Sequence, residues 1–136
     1  MAISGRDVLA GAGTALLAAA CSGTPSNPSP ATAGDPTRGR EVFLARDGGF
    51  CVLCHDVPGA ALAGDVGPSL AGVGARLTPQ QLRERIADMS AVNPDAAMPS
   101  FHRTEGLQRV DPRRLGQPVL NDQQLEDVVA YLASLK

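Results

Sequence analysis

Cys51-Val52-Leu53-Cys54-His55 is the stretch from which the rest of this 136-residue chain can be read. Cys-x-x-Cys-His has the spacing of a covalent haem attachment site. Two thiols add to the haem vinyl groups as thioethers, and the imidazole that follows at once binds the iron as the proximal ligand. Other uses of the pattern fit less well. A redox dithiol usually opens a helix in a βαβ setting, and no such setting surrounds this motif. Zinc needs four ligands, and beyond His55 the chain offers only Cys21 and His102. Chance occurrence in a loop is the bland alternative.

Composition supports a bound apolar group. The length allows one small domain. Its aromatics are Phe43, Phe50, Phe101 and Tyr131, with no Trp. A core made from these and the aliphatics is thin, and small domains bury a low fraction of their surface. A haem supplies the missing apolar mass. The formal net charge of −2 gives no reason to expect a nucleic-acid partner.

With Cys51 and Cys54 assigned to haem, Cys21 needs its own account. Arg6 precedes an apolar, small-residue run from Val8 to Ala20, too short to span a bilayer with comfort and suited to a signal-peptide core. A folded helix there is disfavoured by Gly5, Gly11 and Gly13. The run ends Leu17-Ala18-Ala19-Ala20-Cys21, which resembles a lipoprotein cleavage box with Ala18 where Leu is usual. Cys21 is then the lipid-bearing first residue. The rival is ordinary cleavage after Ala31-Thr32-Ala33. Both readings predict export to the periplasm, which suits the motif because bacterial thioether attachment of haem takes place outside the cytoplasmic membrane. The expected organisation is a leader over 1–20, a disordered Pro/Ser/Thr linker over 21–34 and one domain over 35–136.

Three helices are predicted within that domain. Asp35 caps the first, Pro36 opens it, and it runs to about Arg46 before Gly48-Gly49. Gly39 and Phe43 share one face of it. Thr78-Pro79-Gln80-Gln81 starts another, with Leu82, Ile86 and Met89 as its apolar stripe. Asn121, Asp122 and Gln124 start the last, along which Leu125, Val128, Val129, Leu132 and Leu135 recur at helical spacing beside Tyr131. The intervening chain is rich in Gly and Pro and shows no convincing strand pattern, so the fold class is all-α.

An electron-carrying haem iron wants a second axial ligand. The candidates are Met89, Met98 and His102. Met89 completes a helix stripe and reads as core. Met98 sits in the irregular stretch Asn93-Pro94-Asp95-Ala96-Ala97-Met98-Pro99, and Pro99 biases it to an extended backbone, so it is the preferred ligand. His102 is the alternative, with an exposed loop histidine as its bland reading. A ligating imidazole donates its other N–H to a carbonyl. Pro68, in Gly67-Pro68-Ser69-Leu70, is the candidate acceptor, and a plain turn is the alternative.

The order of these features resembles a class I cytochrome c. Gly39 and Phe43 fall in a first helix, followed by Cys-x-x-Cys-His, Gly-Pro-x-Leu, a Met-Pro loop and a last helix with an aromatic. Gly64 to Gly74, Leu77 to Arg83 and Asn93 to Arg103 together resemble the X subunits of Sox sulfur-oxidation cytochromes (SoxX), over most of residues 35–136. The resemblance implies a small helical bundle around one covalent haem c, with His55 and Met98 as the axial pair. It implies that Gly39 and Phe43 pack on the last helix near Val128 and Tyr131. It implies pairing with a larger, haem-bearing A subunit (SoxA) in a complex that oxidatively joins thiosulfate to a cysteine of a carrier protein, a cysteine S-thiosulfotransferase. The A subunit then holds the reactive haem, and the X subunit accepts electrons, passes them to a downstream acceptor and is not catalytic alone. A lipid anchor at Cys21 departs from that pattern.

Two further expectations concern the surface. Residues 101–118 carry Arg103, Arg109, Arg113 and Arg114 against Glu105 and Asp111, read either as a rim for haem propionates or an acidic partner, or as a solvated loop. Phe50, Val52, Leu53 and Val57 are expected to form an uncharged docking surface at the haem edge. The function classes in play are an electron-transfer subunit of a sulfur-oxidising complex, a general periplasmic carrier, and a haem enzyme or sensor. The last needs an open axial position, which Met98 closes.

Overall fold

The structure, a computed structural model, describes residues 33–136. The expected leader, Cys21 and the linker up to Thr32 lie outside the described residues. Five α-helices follow in order: α1 (Pro36–Leu44), α2 (Val73–Arg76), α3 (Pro79–Ala87), α4 (Met89–Val92) and α5 (Asp122–Ser134), with single 3-10 turns at Cys51–Leu53 and Pro112–Arg114. There is no strand among the described residues, and none of their helices is long and apolar enough to cross a membrane.

α1 begins as its sequence requires. Asp35 accepts from the backbone N–H groups of Thr37 and Arg38, and Pro36 takes the first helical position, where its missing N–H costs nothing. It ends at Leu44, two residues short of the expected Arg46. The following turn folds back onto its last carbonyls: Gly49 N donates to Val42 O, and both Gly48 N and Phe50 N donate to Ala45 O. α5 opens with a reciprocal capping box between Asn121 and Gln124.

α1 and α5 cross at Gly39. A Cβ there would fall on the carbonyl oxygen of Asp127, so only glycine lets the backbones meet. One turn on, Phe43 and Tyr131 pack edge-to-face with ring centroids 5.5 Å apart. Phe43 and Val128 are each 1% exposed. Burial of side chains of this size is worth about 1.5–3 kcal/mol each. Beside the crossing, Asp127 is buried but fully paired: Arg38 donates Nε to Oδ2 and Nη2 to Oδ1, both at 2.9 Å, with further bonds from Asp35 N and Gln123 Nε2. Burial alone would raise its carboxyl; the Arg38 hydrogen bonds, then those from Asp35 and Gln123, outweigh burial and hold it below the usual range.

α3 starts at the Thr78 capping box, with Leu82 and Ile86 buried. It stops at Ala87, because Asp88 adopts extended backbone. The expected third member of its stripe, Met89, instead opens α4. Arg83 forks onto Glu126 and ties α3 to α5, lowering the glutamate's pKa chiefly through that hydrogen bond. α2 is held by the chain end, where Gly74 N donates to Leu135 O and Lys136 Nζ to Gly74 O.

Candidate functional site

The Cys51–Leu53 turn sets the two thiols. In a 3-10 turn, residues three apart eclipse one another, so Cys51 and Cys54 come to one side. The turn is closed by Cys54 N and His55 N, both donating to Cys51 O. Immediately before it, Phe50 is left-handed (φ 43°, ψ 42°), a conformation that costs a non-glycine residue about 1–2 kcal/mol. Its ring lies under the Arg46 guanidinium at 5.0 Å, which helps to hold the turn. Burial pushes the Cys51 thiol up to about 12. A redox dithiol wants the reverse, a thiol whose pKa is lowered towards neutrality.

Both thiols face a cavity of about 680 Å³, within the range of cofactor sites. His55 shares its wall. Its Nδ1 lies 2.8 Å from the Pro68 carbonyl. A carbonyl can only accept, so Nδ1 carries the proton and Nε2 is left with its lone pair for a metal. Gly67 backs the ring, and a Cβ on it would fall on His55 Cε1 and Nδ1. The segment is fastened to the motif by Gly67 N to Cys54 O at 2.7 Å and Leu70 N to Asp56 O at 2.8 Å.

Met98 lies in the wall of the same cavity, and so does Met89, which is half-buried and outside the core cluster it was expected to join. The structure therefore brings Cys51, Cys54, His55, Pro68 and Met98 together around one space. His102 is not in that wall; its Nε2 lies 2.8 Å from Asp122 Oδ1, at the start of α5.

The cations of the wall were not foreseen. They are Arg76 and Arg85. Arg76 donates to the Ala71 and Ser69 carbonyls, and Arg85 to Gln81 O, so both are anchored near the cavity. None of the four arginines of the 101–118 stretch lines it; Arg103 pairs with Asp88 and Arg113 with Asp111. The expected docking surface also changes. Val52 and Val57 are core residues, and Phe50 is half-buried. Leu53 is 63% exposed, and the other exposed apolar side chains beside the motif are Leu62 and Val66, at 52% and 69%.

A largely apolar cavity lined by two thiols, a tautomer-fixed imidazole, two thioethers and two guanidiniums has the donor set of a covalently held iron porphyrin. Residues 36–136 match the family profile described as Cytochrome c. The chain belongs to the cytochrome c family. Among solved structures, a chain of SoxXA from P. pantotrophus is 34% identical, with a TM-score of 0.70, over 77% of this cytochrome and 84% of that chain. SorU, a c-type cytochrome from Sinorhizobium meliloti, is 24% identical over 74% of this cytochrome and 88% of its own chain, with a TM-score of 0.49. A search of curated proteins finds no match. The expected class I, all-α fold is the observed one, and the cytochrome carries a covalently attached haem c. That group supplies one-electron redox chemistry, so the protein is a monohaem electron-transfer protein.

Proposed function

We infer that this cytochrome is the X-type, electron-accepting subunit of a periplasmic complex that oxidatively joins thiosulfate to a cysteine of a carrier protein. The observation that carries the reading is the likeness to the SoxXA chain, which extends over most of both chains. In this reading Cys51 and Cys54 form the thioethers, and His55, oriented by Pro68, and Met98 are the axial pair. A thioether raises the reduction potential relative to bis-imidazole ligation and leaves no position for substrate, as an electron acceptor requires. Arg76 and Arg85 are the residues that would face the propionate charges. The exposed Leu53, Leu62 and Val66 give the A-type subunit an uncharged surface beside the thioether edge, where docking excludes water at little desolvation cost.

The test combines the purified cytochrome with an A-type subunit, the carrier and thiosulfate, and follows reduction of its haem. Reduction is expected only with all components present, and thiosulfate alone should leave the spectrum unchanged. Equal turnover with this protein omitted would refute the assignment. Reduction by unrelated donors alone would mark a general carrier, and binding of small ligands to the resting haem would mark an enzyme or sensor.

A further inference from the structure

Asp88 stands between two helices. Its N–H closes α3 onto Glu84 O, and its side chain caps α4 through Ser90 N. A residue needed only as a cap would stop there. Its Oδ1 also accepts from the hydroxyls of Ser90 at 2.6 Å and Ser100 at 2.5 Å, and its Oδ2 accepts from Arg103 Nη1 at 3.3 Å. Arg103 Nη1 donates to Ser90 Oγ as well, at 3.1 Å, which closes the network.

Ser100 and Arg103 bracket the chain that leaves Met98. Between them, Phe101 N donates to Ile86 O and His102 N to Ala87 O. These are carbonyls that a helix end leaves without intrahelical partners. Main-chain bonds thus fix residues 101 and 102, and the Asp88 carboxylate fixes 100 and 103. Only Pro99 separates Ser100 from Met98. Its ring fixes its own φ and biases Met98 to extended backbone, so little slack lies between the carboxylate and the thioether. On its other side, Asp88 is followed at once by Met89, also in the cavity wall. One carboxylate therefore joins the two methionine-bearing segments.

We propose that Asp88 is a positioning residue whose carboxylate holds the Met98 loop in the place from which the thioether reaches the haem iron. The proposal rests on Met98 being the second axial ligand. It differs from a simple stabilising role in its consequence: loss of the carboxylate frees the axial position more than it unfolds the domain.

The test uses the haem-loaded protein as wild type, Asp88→Ala, Asp88→Asn, Met98→Ala and Leu125→Ala. Leu125 is buried outside the cavity wall, so Leu125→Ala reports loss of stability alone. The readouts are the weak sulfur–iron band of the oxidised protein and its affinity for imidazole, which competes for the same position. Wild type should show the band and Met98→Ala should not. Asp88→Ala should keep its covalent haem, weaken the band and bind imidazole about tenfold more tightly, the scale of a lost charge-assisted hydrogen bond. Asp88→Asn, which keeps an acceptor, should recover part of the effect. Leu125→Ala should melt lower with band and affinity unchanged. Wild-type band and affinity in Asp88→Ala would overturn the proposal, whatever its melting temperature. If Asp88→Ala does not accumulate, Ser100→Ala removes one hydroxyl from the same carboxylate and is judged by the same readouts. A wild type without the band, or Met98→Ala that keeps it, overturns the ligand assignment first and the proposal with it.

Discussion

The α1–α5 crossing and the 88–103 side of the cavity are held in different ways. At the crossing, two regular helices meet backbone to backbone at Gly39, and Phe43, Val128 and Tyr131 fill the space around them. Stability there comes from close packing that has no second arrangement. Around Met98 the chain is irregular, its half-buried residues interleaved with exposed ones, and is fastened by a few hydrogen bonds to the end of α3 and to Asp88. An electron-transfer protein is served by both: a stiff frame that holds the Cys51–Leu53 turn, and an irregular face that can be tuned without disturbing the frame.

The crossing should break hardest. In Gly39→Leu, the first added carbon already coincides with the Asp127 carbonyl, and backbone cannot move aside as a side chain tip can. Overpacking costs about 1–3 kcal/mol in ordinary cores, and this site belongs at or beyond the upper end. At about 4–8 °C per kcal/mol for a domain of this size, melting should fall by more than 10 °C, roughly, with loss of holoprotein during expression. A variant that melts like wild type would mean that the helices do not cross here.

Met98→Ala probes the other region, and its effect should be complete in one observable and small in the other. The sulfur–iron band should vanish while the α1–α5 frame stays folded, with covalent haem retained on denaturation and a c-type pyridine haemochrome. A band that survives would transfer the ligand role to Met89, the other thioether in the wall. Haem extractable by acid-acetone would remove Cys51 and Cys54 from the attachment role.

This contrast also explains what could be read from the chain. The starts of α1, α3 and α5 were legible because caps and boxes are local: Asp35, Thr78 and Asn121 each meet partners within three residues. The grouping of Cys51, Cys54 and His55 at one cavity, and Pro68 opposite His55 Nδ1, were legible for the same kind of reason, since motif and spacing carry them. The end of α3 was not. Periodicity runs on through Met89, and the break at Asp88 depends on Ser100 and Arg103, twelve and fifteen residues away. The burial of Val52 and Val57, the cavity-facing Arg76 and Arg85, and the pairing of Asp127 with Arg38 across 89 residues are likewise tertiary facts. A buried aspartate in an otherwise apolar helix stripe carried a weak signal that an arginine elsewhere must meet it.

The frame should yield to acid in a defined direction. Asp127 and Glu126 are held below their ordinary values by Arg38 and Arg83. A carboxylate depressed in the folded state adds stability above its unfolded pKa, about 3.9 for Asp and 4.3 for Glu, and that stability is lost as pH falls through the folded value. Stability should therefore be flat near neutrality and decline below about pH 4. Asp127→Asn should be less stable at pH 7 and show a shallower acid decline. An unchanged acid limb would mean that the Arg38 pair contributes no differential stability. Since Arg38 is half-exposed, the effect should be well below that of Gly39→Leu.

The smallest effect should come from His102→Ala. His102 was the rival axial ligand, and its imidazole meets Asp122 Oδ1 at 2.8 Å instead of lining the cavity. The two side chains are 33% and 56% exposed, and exposed pairs are worth at most about 1 kcal/mol. Its backbone N–H to Ala87 O, which fastens the loop, survives truncation of the side chain. The sulfur–iron band should thus be kept at full strength, imidazole affinity should match wild type, and stability should fall by about 0.5 kcal/mol or less. Loss of the band in His102→Ala would reverse the ligand assignment. A band kept alongside a large drop in stability would show that the His102–Asp122 contact belongs to the frame, and would move the line between the two regions to the near side of α5.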